Sequence, residues 1–436
     1  MGFSAIIFLF LTLLWLLSMA LYIQKFGGTS VGSIERIQHV ADTVIKTKQA
    51  GHQVVVVVSA MSGETDRLIG LINQAVDAPN LREYDVLVST GEQVSMALTA
   101  MCLSAKGYPA RSYTGAQAGI KTESIHQKAH INDIDVASLK AALAQDIIPV
   151  VAGFQGLSEE GEVTTLGRGG SDTTAVAIAA ALKADECQIY TDVDGVYTAD
   201  PRVVPAARLL PTITLEEMLE MAGLGAKVLQ NRSVRYAGRF KVPLRVLSSF
   251  SNNPGTLITY EESTMEKPLV SGIAFNRSEA KISIFGVPFK PDVTAKILQP
   301  IADAHIDIDM ILQNTTQDNS CDVTFTVNRE DYRRALAIVE TTAKELAARG
   351  VSGDNKIAKL SIVGVGMRAH TGVANKMFTT LAEEGVTVQL ITTSEIKISV
   401  VIDEKYLELA ARALHTAFDL DVSEPTEEFD PVVIKK

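Results

Sequence analysis

The sequence predicts an α/β protein: a mostly parallel sheet flanked by helices, followed by two smaller repeated units. Two observations carry this. Runs apolar throughout, such as Val54 to Ala60, Ile147 to Phe154, Cys187 to Val193 and Pro243 to Ser248, alternate with helical patterns such as Ile34 to Ala50 and Asp172 to Lys183. Continuous apolar strands separated by helices are the mark of a parallel sheet covered on both faces. Further on, AKISIFGV (Ala280 to Val287) returns as AKLSIVGV (Ala358 to Val365), 78 residues later. In each copy a helix follows (Val293 to Ala304; Gly372 to Glu384), then two strands, the second being Val323 to Val327 or Ile398 to Ile402, then a helix. A repeated βαββαβ unit is the ferredoxin-like plan.

With 436 residues, the chain is long enough for two or three domains. Hydrophobic residues make up 47% and charged residues 21%, values that exclude wholesale disorder and low-complexity repeats. Forty basic against 51 acidic residues leave a net charge of -11, which argues against a phosphate-tracking nucleic-acid binder. Three widely spaced cysteines (Cys102, Cys187, Cys321) make neither a disulfide framework nor a zinc ribbon, and they suit a reducing cytoplasm.

The first segment, Phe3 to Leu17, is almost wholly apolar. As a signal peptide it lacks a preceding Lys or Arg. As a membrane anchor it would need ~20 apolar residues and would consume the strand that opens at Leu21. The favoured expectation is a start at Met19. The polar stretches at Ser251-Asn-Asn-Pro-Gly and Glu261 to Pro268 mark a boundary. The expected division is an extension over 1–18, a first domain over 19–263, and the two repeats over 268–349 and 350–428.

Chemistry concentrates in five segments of the first domain. Lys25-Phe-Gly-Gly-Thr-Ser follows the opening strand and precedes a helix, where glycine N–H groups and a helix N-terminus favour an oxyanion. It is neither a P-loop nor a dinucleotide fingerprint, and alone it reads equally well as an ordinary strand-to-helix turn. Ser59-Ala-Met-Ser-Gly-Glu-Thr65 lies at a strand's carboxyl end, where ligands of open α/β sheets gather. Glu92 in Ser89-Thr-Gly-Glu opens a helix, as a partner of its dipole or as a receptor for a substrate ammonium. In Leu166-Gly-Arg-Gly-Gly-Ser-Asp-Thr-Thr174, Arg168 can fork onto a carboxylate, while Asp172 is either an N-cap or part of a ligand loop. The fifth, Tyr190 to Arg202 (YTDVDGVYTADPR), is rich in aspartate but lacks the spacing of an EF-hand.

These segments in this order, with Lys227 in GAKVL after them, resemble the aspartokinases of the amino-acid kinase superfamily. The ISIFGV and LSIVGV entry strands resemble ACT domains, small-molecule sensors, although a tandem dimerisation module without ligand fits the repeat too. The resemblance implies ATP-dependent phosphorylation of the side-chain carboxylate of L-aspartate. It implies Lys25 on the γ-phosphate with Gly27 and Gly28 presenting N–H groups beside it, Phe26 in the same ATP site, and Asp172 holding Lys25. Arg168 would grip the aspartate carboxylate and Glu92 its ammonium, with Ser59, Thr65 and Ser171 completing that pocket. Thr191, Asp192, Tyr197, Arg202 and Lys227 would line the nucleotide site, and Mg²⁺ would arrive with ATP.

The same resemblance implies feedback by lysine, threonine or both, bound where the ACT units meet, in a homo-oligomer assembled through them. An internal start at Met265 would add a regulatory subunit and give an α₂β₂ complex. The effector region departs from the family pattern. Asp292 stands where a glycine is expected to open the first ACT helix, whereas the second repeat keeps Gly372. Asn276 replaces an expected Asp, and Thr387 and Gln389 replace Asn and Glu; Gln313 and Asn314 remain. An aspartate at 292 is expected to cap the helix N–H groups itself and repel an effector carboxylate, which leaves inhibition weaker or one-sided.

Overall fold

The computed structural model describes residues 19–223, 229–260, 269–316, 318–369 and 372–422. The extension 1–18, Lys227 and the Met265 start lie outside the described residues. The chain divides into two compact units. The first comprises the described residues up to 196 with 209–222 and 229–260; the second comprises 197–208, 223 and the residues from 269 onward.

In chain order the first unit runs β1 (Leu21–Phe26), α1 (Ile34–Gln49), β2 (Gln53–Val58), α2 (Glu64–Ala75), α3 (Leu81–Val88), α4 (Thr90–Ala105), β3 (Ala110–Tyr113), β4 (Ile120–Thr122) and β5 (Ile131–Ile134). It continues with α5 (Ala137–Ala144), β6 (Ile148–Ala152), β7 (Gln155–Ser158), β8 (Val163–Thr165), α6 (Gly170–Leu182), β9 (Glu186–Thr191), β10 (Thr212–Thr214), α7 (Leu215–Gly223), α8 (Asn231–Phe240), β11 (Leu244–Ser248) and β12 (Thr256–Thr259).

Eight strands form the main sheet in the order β10-β12-β11-β9-β1-β2-β6-β3, parallel except where β11 meets β12. The valine run of β2 is buried throughout, as a central strand covered on both faces requires. Helix α1 begins where the Ser33 hydroxyl accepts from the Arg36 N–H at 3.3 Å. Its Ile37, Val40, Ala41, Val44 and Ile45 recur at helical spacing and pack against Phe26, Val56 and Val150 of the sheet. Helix α6 differs: it is Ala-rich and buried on nearly every face, so its first turn is held in the interior. A smaller sheet, β5-β4-β7-β8, stands beside the main one in sequence between α4 and α6.

The strand order sets the site. From β1 the chain builds outward to β2 on one side, and β9 is added on the other. This reversal leaves a crevice at the carboxyl ends of β1 and β9, the usual ligand position in an open α/β sheet.

The second unit holds β13 (Gly272–Pro288), α9 (Val293–Asp303), β14 (Ile308–Thr315), β15 (Ser320–Asn328), α10 (Tyr332–Glu345), β16 (Gly350–Val363), α11 (Val373–Glu383), β17 (Leu390–Thr393), β18 (Lys397–Asp403) and α12 (Leu407–Ala417). Its sheet is a single one, β14-β15-β13-β16-β18-β17. The linear reading of two successive βαββαβ units meets a strand exchange here. The first half of β13, Gly272 to Asn276, pairs with Lys359 to Val363, while its second half, Lys281 to Phe285, pairs with Gly350 to Asp354. The strand expected after α12 is therefore supplied from before the first repeat. One 17-residue and one 14-residue strand cross both repeats, so the expected boundary at 349/350 divides the chain and not the sheet.

Segment 197–208 packs with this second unit. Ala199, Val203 and Val204 share a core with Leu360, Met377, Leu381 and Leu414. Ile273 N–H donates to the Thr198 carbonyl at 2.7 Å, and the Thr198 hydroxyl meets His415 Nε2 at 2.9 Å. Among the described residues one stretch, Leu81–Ala105, is long and apolar enough to cross a membrane by length and composition. It comprises α3 and α4, is half buried, and carries the buried carboxylates Asp85 and Glu92.

Candidate active site

A cavity of about 480 Å³ opens at that crevice, within the size range of small-molecule sites. Lys25 and Gly28 reach it from β1 and the following turn, Ser59 and Thr65 from the segment after β2, and Glu92 from the first turn of α4. Arg168, Ser171 and Asp172 come from the loop and first turn of α6, and Thr191 and Asp192 from the end of β9.

Lys25 and Asp172 form the most buried ion pair of the first unit, Nζ to Oδ1 at 2.6 Å with side chains 10% and 11% exposed. At that distance it is a charge-assisted contact between a buried cation and a buried carboxylate. An ammonium carries three protons, so beside this one contact Lys25 can still donate to a ligand. Asp172 is not an N-cap: Gly169 holds that position, at φ 73°, and Asp172 stands inside the first turn facing β1. Gly27, expected to offer its N–H, donates it to the Tyr190 carbonyl at 3.1 Å. Gly28 and Thr29 make no such bond among the described residues and keep their N–H groups free. Gly27 still lines the cavity, but Phe26 does not; its ring is buried and stacks on Tyr190 at 4.6 Å.

Glu92 is 4% exposed. One carboxylate oxygen accepts from the Ala60 N–H at 3.0 Å, while Oε2 has no partner among the described residues. Burial pushes its carboxyl up to about 7, against the downward pull of the Ala60 N–H and its own N–H. A buried carboxylate with an unused oxygen on a cavity wall is a receptor for a cation. Opposite in charge, Arg168 is exposed and has no carboxylate partner among the described residues. Besides the Lys25–Asp172 pair, the cavity lining thus offers the Arg168 cation and the carboxylates of Glu92, Asp66 and Asp192.

Tyr197 and Arg202 are not among the lining residues; both belong to the segment packed with the second unit, and Arg202 forks onto Asp200 at 2.7 Å. Several contributors escaped the sequence reading. Phe154, at φ 70°, and Gln230 line the cavity. Asp85, fully buried, accepts from the N–H groups of Gln127 and Thr165, from the Thr165 hydroxyl, and contacts His126 Nδ1. It fixes the end of β8 just before the Arg168 loop. No motif announces such residues, since each matters through a partner distant in sequence.

The expected effector residues fall in two groups. At the start of α9, Asp292 occupies the N-cap position but its side chain makes no capping bond; it pairs with Lys296 at 2.7 Å. The expectation that it caps the helix itself is therefore corrected, because a lysine one turn on offers the stronger charged partner. Gln313 accepts from the Thr294 hydroxyl nearby, and Asn314 lies exposed on β14. In the middle of the sheet Asn276 donates to Glu279 at 2.8 Å and Gln389 accepts from Lys281. Thr387 is exposed. Gly372, at φ 107°, opens α11 in a conformation that a side chain would strain.

Residues 20–248 match the amino acid kinase family, and residues 360–418 match the ACT domain. An aspartate kinase of Pseudomonas putida is 64% identical over 92% of this chain and 98% of its own length. The chain belongs to the aspartate kinases. An aspartokinase of Corynebacterium glutamicum is 49% identical over 92% of the chain and 97% of the relative. Among solved structures of aspartate kinases, E. coli aspartokinase III in complex with aspartate and ADP is 26% identical, with a TM-score of 0.72 over 91% of this chain and 99% of that one. The same enzyme in complex with lysine and aspartate matches at 25% identity and the same TM-score and coverage.

Proposed function

We propose that this chain transfers the γ-phosphoryl group of ATP to the side-chain carboxylate of L-aspartate, giving 4-phospho-L-aspartate on the route to lysine, threonine and methionine. The observation that carries the reading is a single cavity with the Lys25–Asp172 pair at the strand end and Arg168 and Glu92 on its walls. Aspartate is a zwitterion with a second carboxylate. Glu92 receives its ammonium through the unused Oε2, and Arg168 forks onto a carboxylate. Ser59, Thr65 and Ser171 complete that pocket.

The chemistry asks mainly for alignment and charge stabilisation. The attacking carboxylate has an ordinary pKa near 3.9 and is ionised at neutral pH, so no general base is required. One of its oxygens bonds to the γ-phosphorus as the bond to the β–γ bridging oxygen breaks, and ADP leaves. Lys25 stabilises charge on the transferred group, Asp172 holds Lys25 in place, and the N–H groups of Gly28 and Thr29 with the start of α6 add donors. Thr191 and Asp192 border the nucleotide; Tyr197, Arg202 and Lys227 are assigned to it by family resemblance alone. Mg²⁺ would arrive with ATP and would supply counter-charge to its phosphates. A cytoplasmic site of action fits the three free cysteines.

The test is ADP release by the purified full chain, with aspartate, glutamate, acetylglutamate and uridylate offered in turn. Release with aspartate alone is expected; release with another acceptor alone would overturn the substrate assignment.

Lysine and threonine are the proposed effectors at the ACT sheet. The Asp292 carboxylate, though paired with Lys296, still stands at the first turn of α9 and opposes an effector carboxylate there. Inhibition is therefore expected to be weak or one-sided when each amino acid is titrated singly, and to strengthen in Asp292→Gly. Strong inhibition by each alone, unchanged in that variant, would remove Asp292 from regulation. Assembly through the ACT units as a homo-oligomer is proposed, with α₂β₂ as the alternative. Native mass spectrometry decides, a species beginning at Met265 being the mark of the second.

A further inference from the structure

We infer that Arg232 is a positioning residue for Arg168: its guanidinium holds, from outside the cavity, the backbone loop that aims Arg168 at the amino-acid substrate. This rests on the assignment of Arg168 to the aspartate carboxylate.

The loop Gly167-Arg168-Gly169-Gly170 has little of its own to hold it. Gly167 and Gly169 both lie at positive φ, 76° and 73°, and have no side chain to pack. Arg168 itself is exposed. Inside the loop a single backbone bond, Gly170 N–H to the Gly167 carbonyl at 2.9 Å, closes the turn. At its far end the loop is tied into α6, where the Gly169 carbonyl accepts from the Thr173 N–H at 3.1 Å; at its near end its orientation depends on Leu166, which is buried and donates its N–H to the Phe154 carbonyl at 2.9 Å.

The other backbone group of Leu166, its carbonyl, is taken by Arg232. One terminal nitrogen of the guanidinium donates to the Leu166 carbonyl at 2.6 Å and the other to the Ala129 carbonyl at 2.6 Å. Ala129 in turn donates its N–H to Thr165 at 3.0 Å, next to Leu166. Charge-assisted bonds to two carbonyls use the planar fork that distinguishes arginine from lysine. Burial lowers the pKa of Arg232, against the upward pull of the Glu123 charge, so a half-buried cation is committed to backbone carbonyls, and among the described residues it makes no ion pair. Gln230, the N-cap residue of α8, packs against the loop: a Cβ on Gly169 would lie 2.1 Å from Gln230 Cγ. Arg232 does not line the cavity, and it acts through Arg168.

Misplacing a substrate-binding group by about 1 Å can cost as much as 10²-fold, so loosening this loop should be visible in kinetics. The experiment measures ADP release by the full chain for Arg232→Gln and Arg232→Lys, alone and in an Arg168→Ala background. The apparent KM for aspartate is expected to rise ~10-fold or more in Arg232→Gln, while that for ATP changes less than about twofold. Arg232→Lys keeps the charge but not the fork and should fall between that variant and the wild type. In the Arg168→Ala background the second change should alter the aspartate KM less than about twofold, because no guanidinium is left to aim. Equal rises for both substrates, or an undiminished effect in the Arg168→Ala background, would overturn the inference. Should Arg232→Gln fail to fold, Arg232→Lys carries the same two readouts. A wild type that releases no ADP with aspartate defeats the proposed activity; an active wild type whose Arg232 variants keep its aspartate KM defeats only the role of Arg232.

Discussion

Lys25→Ala lowers turnover with aspartate by about 10²–10³-fold at saturating substrates, the usual cost of losing one preorganised contact to developing charge. Lys25 is buried at the end of a central strand, with its ammonium 2.6 Å from Asp172 and no other carboxylate on it among the described residues. Water cannot easily replace a cation in that position. The substitution also leaves Asp172 buried without its counter-charge, so thermal unfolding should shift downward, and the double variant Lys25→Ala, Asp172→Ala should recover part of that loss. Steady-state kinetics and a melting curve on the same preparations separate the two effects. Near-wild-type turnover in folded Lys25→Ala would remove Lys25 from the transfer step.

Glu92→Gln raises the KM for aspartate by about 10–10²-fold, since a hydrogen bond to a charged partner contributes roughly 1.5–3 kcal/mol. The acid side of the pH profile provides a sharper readout. The Glu92 carboxyl of the ligand-free protein is pushed up to about 7 by burial. A raised carboxyl contributes stability that is fully present below the ordinary carboxyl range and is lost as pH rises through about 7. The free protein therefore gains from this group on acidification. Binding an ammonium requires the ionised form and reverses that preference. The apparent affinity for aspartate should consequently fall as pH drops below about 7, and this component should vanish in Glu92→Gln. A wild-type aspartate KM with no acid limb between pH 5 and about 7 would show that Glu92 does not receive the ammonium.

The cavity residues were legible where chemistry and backbone demand coincide. A lysine before two glycines at a strand end reads alone as an ordinary turn, but together with an arginine between glycines before an Ala-rich helix it forms a combination that packing alone has little reason to produce. Lys25, Arg168 and Asp172 were readable for that reason. Phe26 and Gly27 were carried along with their motif, yet the structure commits the Phe26 ring to Tyr190 and the Gly27 N–H to the Tyr190 carbonyl. A motif marks a stretch of chain; which of its atoms remain free depends on the neighbouring strand. Asp85 and Arg232 lay beyond reach because their partners stand at 80 and 66 residues' separation. An isolated Asp or Arg on a helix reads as solvated surface until those partners are known.

By itself the sequence determined the alternation of buried strands and helices, the repeat at 280 and 358, and the chemical types gathered at the strand ends. Each follows from local periodicity or from a residue type that suits one backbone setting. Tertiary packing settled that the tail of YTDVDGVYTADPR joins the second unit and that β13 and β16 each serve both repeats, while the structure shows Asp292 paired with Lys296 one turn on instead of capping its helix. These outcomes depend on competition between partners: a strand pairs wherever an edge is open, and a carboxylate turns to the nearest cation. The open edge lies far away in sequence; Lys296 stands only four residues from Asp292, and there the sequence left open which of two local partners, the lysine or the helix N–H groups, the carboxylate takes.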